Sequence, residues 1–211
     1  MAVAVALSLA SGYLSGSLPW GLWLGLRVRG IDVRTVGSHN LGATNVYRSL
    51  GPGLGIATLV LDLAKGALPV LLVPGGSALA AFPGGREWCA VAVGLAAVAG
   101  HVWTCFASFR GGKGVATSAG VLLALAPLAF GAFAAVFVLT VALTRFISLG
   151  SVLGAVAFVV ALALAPGGMR RPAFALGAAL AALVIVRHRE NLGRLVAGTE
   201  RRFSLKGGGR A

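Results

Sequence analysis

The chain has 211 residues, of which 58% are hydrophobic and only 11% are charged. A soluble domain of this length needs far more polar surface, so the composition predicts a polytopic membrane protein. The net charge of +13 would suggest nucleic-acid binding in a soluble protein. Here the basic residues lie in short breaks between apolar runs, and membrane topology explains them without nucleic acid.

Six apolar blocks follow one another along the chain, at about residues 2–26, 53–73, 87–106, 115–144, 149–165 and 172–188. The breaks between them are rich in Gly, Pro, Asn and Ser, as expected of turns. The first block carries no charge before Arg27, so it lacks the basic start of a signal peptide and is expected to be a retained helix. We expect a single membrane domain over residues 1–211.

The basic residues predict the orientation of the chain in the membrane. They cluster in the first break, in the third break and after the last block, which places these regions in the cytoplasm and the N-terminus in the periplasm. Block 115–144 must then cross the membrane twice, and Pro127 marks the turn. The sequence therefore predicts an all-α fold of about seven transmembrane helices, some short, with a cytoplasmic C-terminus. One long tilted helix over residues 115–144 is the alternative.

The first polar break reads "GSHNLGATNVYRSLGPG", residues 37–53. Small residues allow backbone N–H groups to converge on an anion, and hydroxyl and amide side chains complete its coordination. The stretch places Ser38, His39, Asn40, Thr44, Asn45 and Arg48 within eleven residues, with Gly37 and Gly42 between them. A polar interfacial turn that caps the next helix explains the same residues equally well.

The third break reads "FRGGKGVATSAG", residues 109–120. Gly111, Gly112 and Gly114 free the backbone, Lys113 supplies a positive charge, and Thr117 lies where the next helix is expected to start. A helix N-terminus favours a phosphate because of its unpaired N–H groups and its dipole. The pattern is not a Walker A loop, since Gly114 follows the lysine. A lone cytoplasmic lysine that obeys the positive-inside rule is the alternative.

The last polar stretch reads "RHRENLGRLVAGTERRF", residues 187–203. Helical spacing places Arg187, Asn191 and Arg194 on one face and allows Glu190 to pair with Arg194. His188 has three possible roles: a general base, a hydrogen-bond donor to phosphate, or an interfacial side chain that extends toward the lipid headgroups. The basic residues from about 201 onward predict a tail attracted to anionic lipid.

Two further signals lie inside the apolar blocks. Asp62 and Lys65 in "LDLAKG" form an ionisable pair at membrane depth, which indicates either a functional site or a structural salt bridge. "TRFISLGS" places Ser148 and Ser151 at helical spacing after Arg145. The chain has only five acidic residues and no Cys/His cluster with zinc spacing, so neither a metal nor a cofactor is expected.

Three of these stretches together resemble the three motifs of the bacterial acyl-phosphate:glycerol-3-phosphate acyltransferase family. They are "GSHNLGATNVYR", "GHVWTCFASFRGGKGVAT" and "RHRENLGRLVAGTE". "LDLAKG" and "TRFISLGS" match in the same order, so the resemblance extends from about Tyr13 to Phe203. The departures from the family pattern are His39, Leu41, Trp103, Thr104 and Arg110.

The resemblance implies an integral protein of the bacterial inner membrane, with its active site facing the cytoplasm. It implies transfer of an acyl group from acyl-phosphate to the sn-1 hydroxyl of glycerol-3-phosphate, which gives lysophosphatidate and phosphate. The implied partners are these two substrates and the bilayer, with the protein as a monomer.

The residues expected in the site follow from the resemblance together with the loop arguments. Those expected to be catalytic are Lys113, His188 and Asn191. Those expected to bind substrate are Ser38, Asn40, Gly42, Thr44, Asn45, Arg48, Gly111, Gly112, Lys113, Gly114, Thr117, Ser148, Ser151 and Glu190. A phosphate-ester transporter and a noncatalytic scaffold are the alternatives from other classes, and acyl-CoA is the alternative donor.

Overall fold

The computed structural model describes residues 2–72 and 82–204, and within them the chain forms ten α-helices, two 3-10 turns and no strand. It divides into two compact units, residues 2–124 and residues 125–204. The predicted all-helical fold is confirmed. The prediction of one domain over residues 1–211 stays a prediction.

The described residues of the first unit, 2–72 and 82–124, form six helices. They are α1 (Ala2–Ser17), α2 (Trp20–Arg29), α3 (Ala43–Leu50), α4 (Pro52–Leu72), α5 (Gly85–Val102) and α6 (Val115–Leu125), with a 3-10 turn at Cys105–Ala107. Glycines allow the backbones to approach closely, as small residues do in membrane proteins. A Cβ on Gly16 of α1 would overlap the carbonyl of Ala97 on α5, and one on Gly120 of α6 would overlap the carbonyl of Leu63 on α4.

The second unit contains four helices. They are α7 (Pro127–Thr144), α8 (Ile147–Leu164), α9 (Pro172–Arg187) and α10 (Arg189–Val196), with a 3-10 turn at Gly168–Arg170. Helix α8 packs between α7 and α9, and Phe158 in its middle is 1% exposed. Two of the helices begin at a proline because the missing N–H costs nothing in the first turn.

All seven predicted membrane segments correspond to helices. Five spans are long and apolar enough to cross a bilayer, and α9 with α10 forms a sixth candidate that is bent by 56°. Helix α6 is apolar but shorter, with 11 residues. The predicted count of seven spans and the orientation stay predictions.

Block 115–144 is broken where the sequence predicted a break. Helix α6 ends at Leu125, Ala126 has φ −149° and ψ 72°, and Pro127 starts α7. The alternative of one long helix is therefore wrong. The first block was expected to be one helix but is interrupted between Ser17 and Trp20, because Pro19 has no N–H to continue the ladder.

Candidate functional site

The first polar loop, residues 37–42, is folded around the side chain of Asn45, which is 3% exposed. Its Oδ1 accepts a 2.8 Å hydrogen bond from the backbone N–H of Ser38. Its Nδ2 donates to the carbonyls of Val33 and Asn40, both at 2.9 Å. A buried amide that is saturated in this way organises the loop, which differs from the predicted direct contact with substrate.

The other predicted residues of this loop lie around that amide. Asn40 accepts a 2.8 Å hydrogen bond from the N–H of Gly42, which is the N-cap of α3. Thr44 and Arg48 are four residues apart on α3, so their half-buried side chains share one face. Ser38 is exposed. The backbone N–H of Ser38 and the side chain of Asn40 therefore belong to the hydrogen-bonded core of the loop.

The core beneath this loop is apolar and explains why the loop has one shape. Val33 and Val46 are fully buried, and Leu22, Leu41 and Leu50 complete the cluster. These side chains join α2, the loop and α3, so burial of apolar surface fixes the polar residues above them.

The Gly-rich loop, residues 111–114, lies directly against the end of α5. The N–H of Gly111 donates to the carbonyl of Val102 at 3.0 Å, and the N–H of Gly112 donates to the carbonyl of His101 at 3.2 Å. A Cβ on Gly112 would overlap Nε2 of the His101 ring. Gly114 has φ +84°, a conformation that favours glycine. These three glycines are required by packing and backbone conformation, whatever binds the loop.

Thr117 and Ser118 lie in the first turn of α6, as predicted. The Thr117 hydroxyl is fully buried and lies 3.1 Å from Nδ1 of His101. This contact gives Thr117 a partner within the protein, which differs from the predicted contact with substrate. Lys113 is half-buried between the packed Gly112 and the start of the helix.

A second polar cluster, in the second unit, is centred on Glu200, which the sequence-based site left out. Its carboxylate accepts hydrogen bonds from Ser148 at 2.8 Å, from Asn191 at 2.6 Å and from Arg194 at 2.8 Å. Burial alone would raise the pKa of Glu200, but these three donors and the charge of Arg194 together hold the pKa below its usual value. Glu200 therefore fixes two predicted site residues, Ser148 and Asn191.

The predicted pairing of Glu190 with Arg194 is wrong. Arg194 binds Glu200 at 2.8 Å instead, and Glu190 is exposed on α10. The chain returns past Arg194 after Gly198, which has φ +71° and reverses its direction. Glu200 ends the third motif and is one of only five acidic residues in the chain, and those two facts were the available signal.

His188 lies at the bend between α9 and α10 and is 4% exposed. Its Nδ1 is 2.8 Å from the carbonyl of Val184. Since a carbonyl only accepts, Nδ1 carries the proton, and in the neutral ring Nε2 then bears the lone pair that a general base uses. Ser151 donates to the carbonyl of Ile147 in its own helix at 2.9 Å, so its hydroxyl is engaged with the backbone.

The ionisable pair at membrane depth is a direct ion pair. Lys65 Nζ is 2.8 Å from Asp62 Oδ1, with both side chains 3% exposed, and it also donates to the carbonyl of Leu18 at 2.7 Å. Asp62 and Lys65 line a small cavity, about the size of one water molecule, together with Trp20 and Gly112. The pair therefore has the structural partners of a salt bridge that holds helices together.

The basic residues after 200 begin with a segment that binds back to the protein. The N–H of Phe203 donates to the carbonyl of Arg145 at 2.6 Å, and the guanidinium of Arg202 lies 5.7 Å from the centre of the Phe146 ring. The remainder of the predicted tail, residues 205–211, lies outside the described residues.

The fold and the two polar clusters define an integral membrane protein whose loops present hydrogen-bond donors and basic side chains. The family model for glycerol-3-phosphate acyltransferase matches residues 6–198. The chain belongs to the glycerol-3-phosphate acyltransferase family. This confirms the family that the motifs indicated and argues against a phosphate-ester transporter.

Individual relatives cover nearly the whole chain. The glycerol-3-phosphate acyltransferase of Desulforudis audaxviator is 46% identical over 205 residues, which are 97% of this chain and 98% of the relative. That of Geobacter sulfurreducens is 48% identical over 195 residues, 92% of this chain and 95% of the relative.

Two solved structures share the fold. The crystal structure of PlsY (YgiH), an integral membrane glycerol 3-phosphate acyltransferase, in its glycerol 3-phosphate form has a TM-score of 0.85 at 34% identity, and covers 95% of this chain and 96% of its own. The lysophosphatidic acid form has a TM-score of 0.83 at 33% identity, and covers 96% of each chain.

Proposed function

We propose that this protein transfers a fatty acyl group from acyl-phosphate to the sn-1 hydroxyl of glycerol-3-phosphate, which gives lysophosphatidate and phosphate. The observation that carries the proposal is the family match over residues 6–198, which includes the first polar loop, the Gly-rich loop, Ser148 and Asn191. Acyl-phosphate is the donor that the resemblance of the motifs implies. Acyl-CoA is the other donor to be tested.

The two substrates require groups that hold phosphate. Arg48 and Lys113 are the basic side chains of the first unit assigned to this role, and each lies on or beside a segment rich in backbone N–H donors. The Gly-rich loop is packed on α5 so that Lys113 sits at the start of α6, where the helix dipole also favours an anion. An N–H group aimed at a developing oxyanion is worth roughly 3 kcal/mol in other acyl transferases.

The reaction needs no covalent enzyme intermediate. Acyl-phosphate is a mixed anhydride, so the glycerol hydroxyl attacks the acyl carbonyl, the new ester C–O bond forms, and the bond to phosphate breaks. The hydroxyl proton leaves to a base, for which His188 Nε2 is the candidate in the protein and a substrate phosphate is the alternative. Asn191 and Ser148, held by Glu200, are assigned to orient the substrates.

We also infer the setting of the reaction. The apolar spans support an integral protein, and the positive-inside rule assigns both polar clusters to the cytoplasmic face of the bacterial inner membrane. The protein is proposed to act as a monomer, and gel filtration with light scattering in detergent tests that assignment.

The test of the donor is a product assay on purified protein in detergent. Radiolabelled glycerol-3-phosphate is offered with palmitoyl-phosphate in one reaction and with palmitoyl-CoA in another, each beside Lys113→Ala. Lysophosphatidate from palmitoyl-phosphate alone, lost in the variant, is the expected result. Product from palmitoyl-CoA alone overturns the donor but keeps the acyltransferase.

The role of His188 is tested separately through its kinetic signature. His188→Ala is expected to lower kcat by at least about 100-fold, since general base catalysis typically contributes that much. A variant with near-normal kcat and a raised KM removes His188 as the base and assigns it to binding.

A further inference from the structure

We infer that His101 is a positioning residue that sets the conformation of the Gly-rich loop and thereby the place of Lys113. The inference rests on the proposed function, in which this loop holds a substrate phosphate. His101 belongs to the second motif but is not among the residues expected in the site. The geometry around its ring indicates a role.

The His101 ring joins three segments that meet at one point. It belongs to the last turn of α5, it packs against the Cα of Gly112, and its Nδ1 is 3.1 Å from the Thr117 hydroxyl in the first turn of α6. Lys113 lies between the second and third of these contacts in the chain. Its backbone position is therefore fixed on both sides through one imidazole.

The surroundings hold the ring itself in place. His101 is 6% exposed, and Asp62 Oδ1 lies 3.8 Å from its Nδ1, which is too long for a hydrogen bond but close enough for electrostatic orientation. The Asp62–Lys65 pair is fixed by the Lys65 bond to Leu18. Helix α6 also packs closely on α4, because a Cβ on Gly66 of α4 would overlap the Thr117 carbonyl. Because these contacts fix the His101 ring, the ring in turn fixes Gly112 and Thr117, which pack against it.

Two neighbouring glycines make it possible to test whether the His101 ring or the His101 backbone sets the conformation of the loop. A Cβ on Gly112 would overlap His101 Nε2, a side-chain atom, whereas a Cβ on Gly111 would overlap the His101 carbonyl, a backbone atom. Removing the imidazole therefore makes room for alanine at position 112 but not at position 111. The pair offers a matched comparison within two residues of the chain.

The experiment is a double-mutant cycle on kcat/KM for palmitoyl-phosphate and glycerol-3-phosphate. Gly112→Ala and His101→Ala alone are each expected to raise the KM of one phosphate-bearing substrate by about tenfold or more, with kcat changed much less. In the His101→Ala background, Gly112→Ala should then have almost no further effect, while Gly111→Ala keeps its full effect. If the effects of Gly112→Ala and Gly111→Ala each simply add to the effect of His101→Ala, the inference is wrong.

A second measurement distinguishes a loss of substrate binding from a general loss of folding stability. The rise in Tm that glycerol-3-phosphate gives in detergent is compared for the wild type, Thr117→Val and Thr58→Val. Thr58 is an equally buried threonine whose hydroxyl bonds only within its own helix, at 2.8 Å to Leu54. The ligand-induced rise should shrink in Thr117→Val alone. An equal rise in all three proteins overturns the inference.

The conservative variant His101→Asn retains a polar atom near the place of Nδ1 and is expected to reverse most of the rise in KM that His101→Ala causes. A KM as high as that of His101→Ala contradicts the role of the Thr117 contact. The proposed function is judged separately, on wild-type turnover with the two substrates. An active wild type with an unaffected His101→Ala refutes only the positioning role.

Discussion

Ser148 and Glu200 lie 52 residues apart in the chain and are joined by a hydrogen bond of 2.8 Å. The same carboxylate oxygen accepts from Asn191 at 2.6 Å, so one acidic side chain holds a residue from the start of α8 and a residue from α10. Both of the residues it holds are assigned to the reaction. The segment that ends in Glu200 therefore holds in place two residues that are assigned to the reaction.

Glu200→Gln is expected to lower both Tm and turnover, because the amide loses one acceptor position and the ion pair with Arg194. A donor left unpaired at a buried site costs about 1–3 kcal/mol. The matched control is Glu190→Gln, an exposed acidic residue on the adjacent helix, which should leave Tm unchanged. Thermal unfolding in detergent measures both, and equal Tm values for the two variants contradict the role of Glu200.

The stability that Glu200 contributes should depend on pH. Its folded-state pKa lies below the usual 4.5, so the carboxylate stabilises the folded protein above that pH, and the contribution is lost as the pH falls through the folded pKa. The gap in Tm between the wild type and Glu200→Gln is expected to be constant from about pH 7 to pH 5.5 and to narrow below about 4.5. A gap that widens on acidification contradicts this.

Asn45→Ala is expected to unfold the first polar loop locally. The substitution leaves the Ser38 N–H and the carbonyls of Val33 and Asn40 without their partner, and each such loss costs about 1–3 kcal/mol when buried. Ser49→Ala is the control, since its hydroxyl reaches the same amide only at 3.4 Å. The measurements are the rate of limited proteolysis between residues 33 and 45 and the turnover number. Asn45→Ala should increase the first and lower the second, while Ser49→Ala should change neither by much.

The Asp62–Lys65 pair should respond differently to single and double substitution. Lys65→Met leaves a buried carboxylate unpaired and is expected to cost about 3–5 kcal/mol, whereas Asp62→Leu with Lys65→Met should lie much closer to the wild type. The exposed Asp32–Arg34 pair is the control, and Arg34→Met should cost no more than about 1 kcal/mol. If the double variant loses turnover while keeping Tm, the pair contributes to the reaction, directly or through His101, in addition to stabilising the fold.

Gly16→Ala is expected to separate α1 from α5, because the new Cβ would overlap the carbonyl of Ala97. Gly131→Ala is the matched control in the middle of α7, where a Cβ meets nothing within 4 Å, and it should be neutral or stabilising by up to about 1 kcal/mol. Chemical denaturation in mixed micelles compares the two. A loss of stability at Gly131 equal to that at Gly16 contradicts the packing argument.

The membrane segments were predictable because an apolar run and its turn residues are local features of the sequence. Pro127 correctly predicted the break between α6 and α7. Pro19 indicated a break within the first block in the same way, but the long apolar run around it led to the prediction of one helix. A proline marked a helix end at these two positions, whereas Pro69 lies inside α4 without ending it.

Roles within the site were harder to predict because they depend on distant partners. Glu200 acquires its importance from Ser148, which no local pattern links to it. Asn45 and Thr117 are residue types that bind phosphate and that also bind backbone or imidazole, and only the fold shows that both are engaged within the protein. The motifs indicated the segments in which the polar contacts lie, and the three-dimensional contacts show which of their residues hold those segments in place.

The bond from Lys65 to Leu18 has a consequence for how the sequence is free to change. The break at Pro19 takes the Leu18 carbonyl out of the regular helical ladder, and this carbonyl accepts from the N–H of Trp20 at 3.1 Å and from Lys65 Nζ at 2.7 Å. The Lys65 carbonyl in turn accepts from the Ser15 hydroxyl at 3.1 Å. The kink and the lysine therefore depend on each other. Across related chains, loss of the proline at position 19 should be accompanied by loss of the lysine at position 65, so the two positions are expected to evolve as a unit.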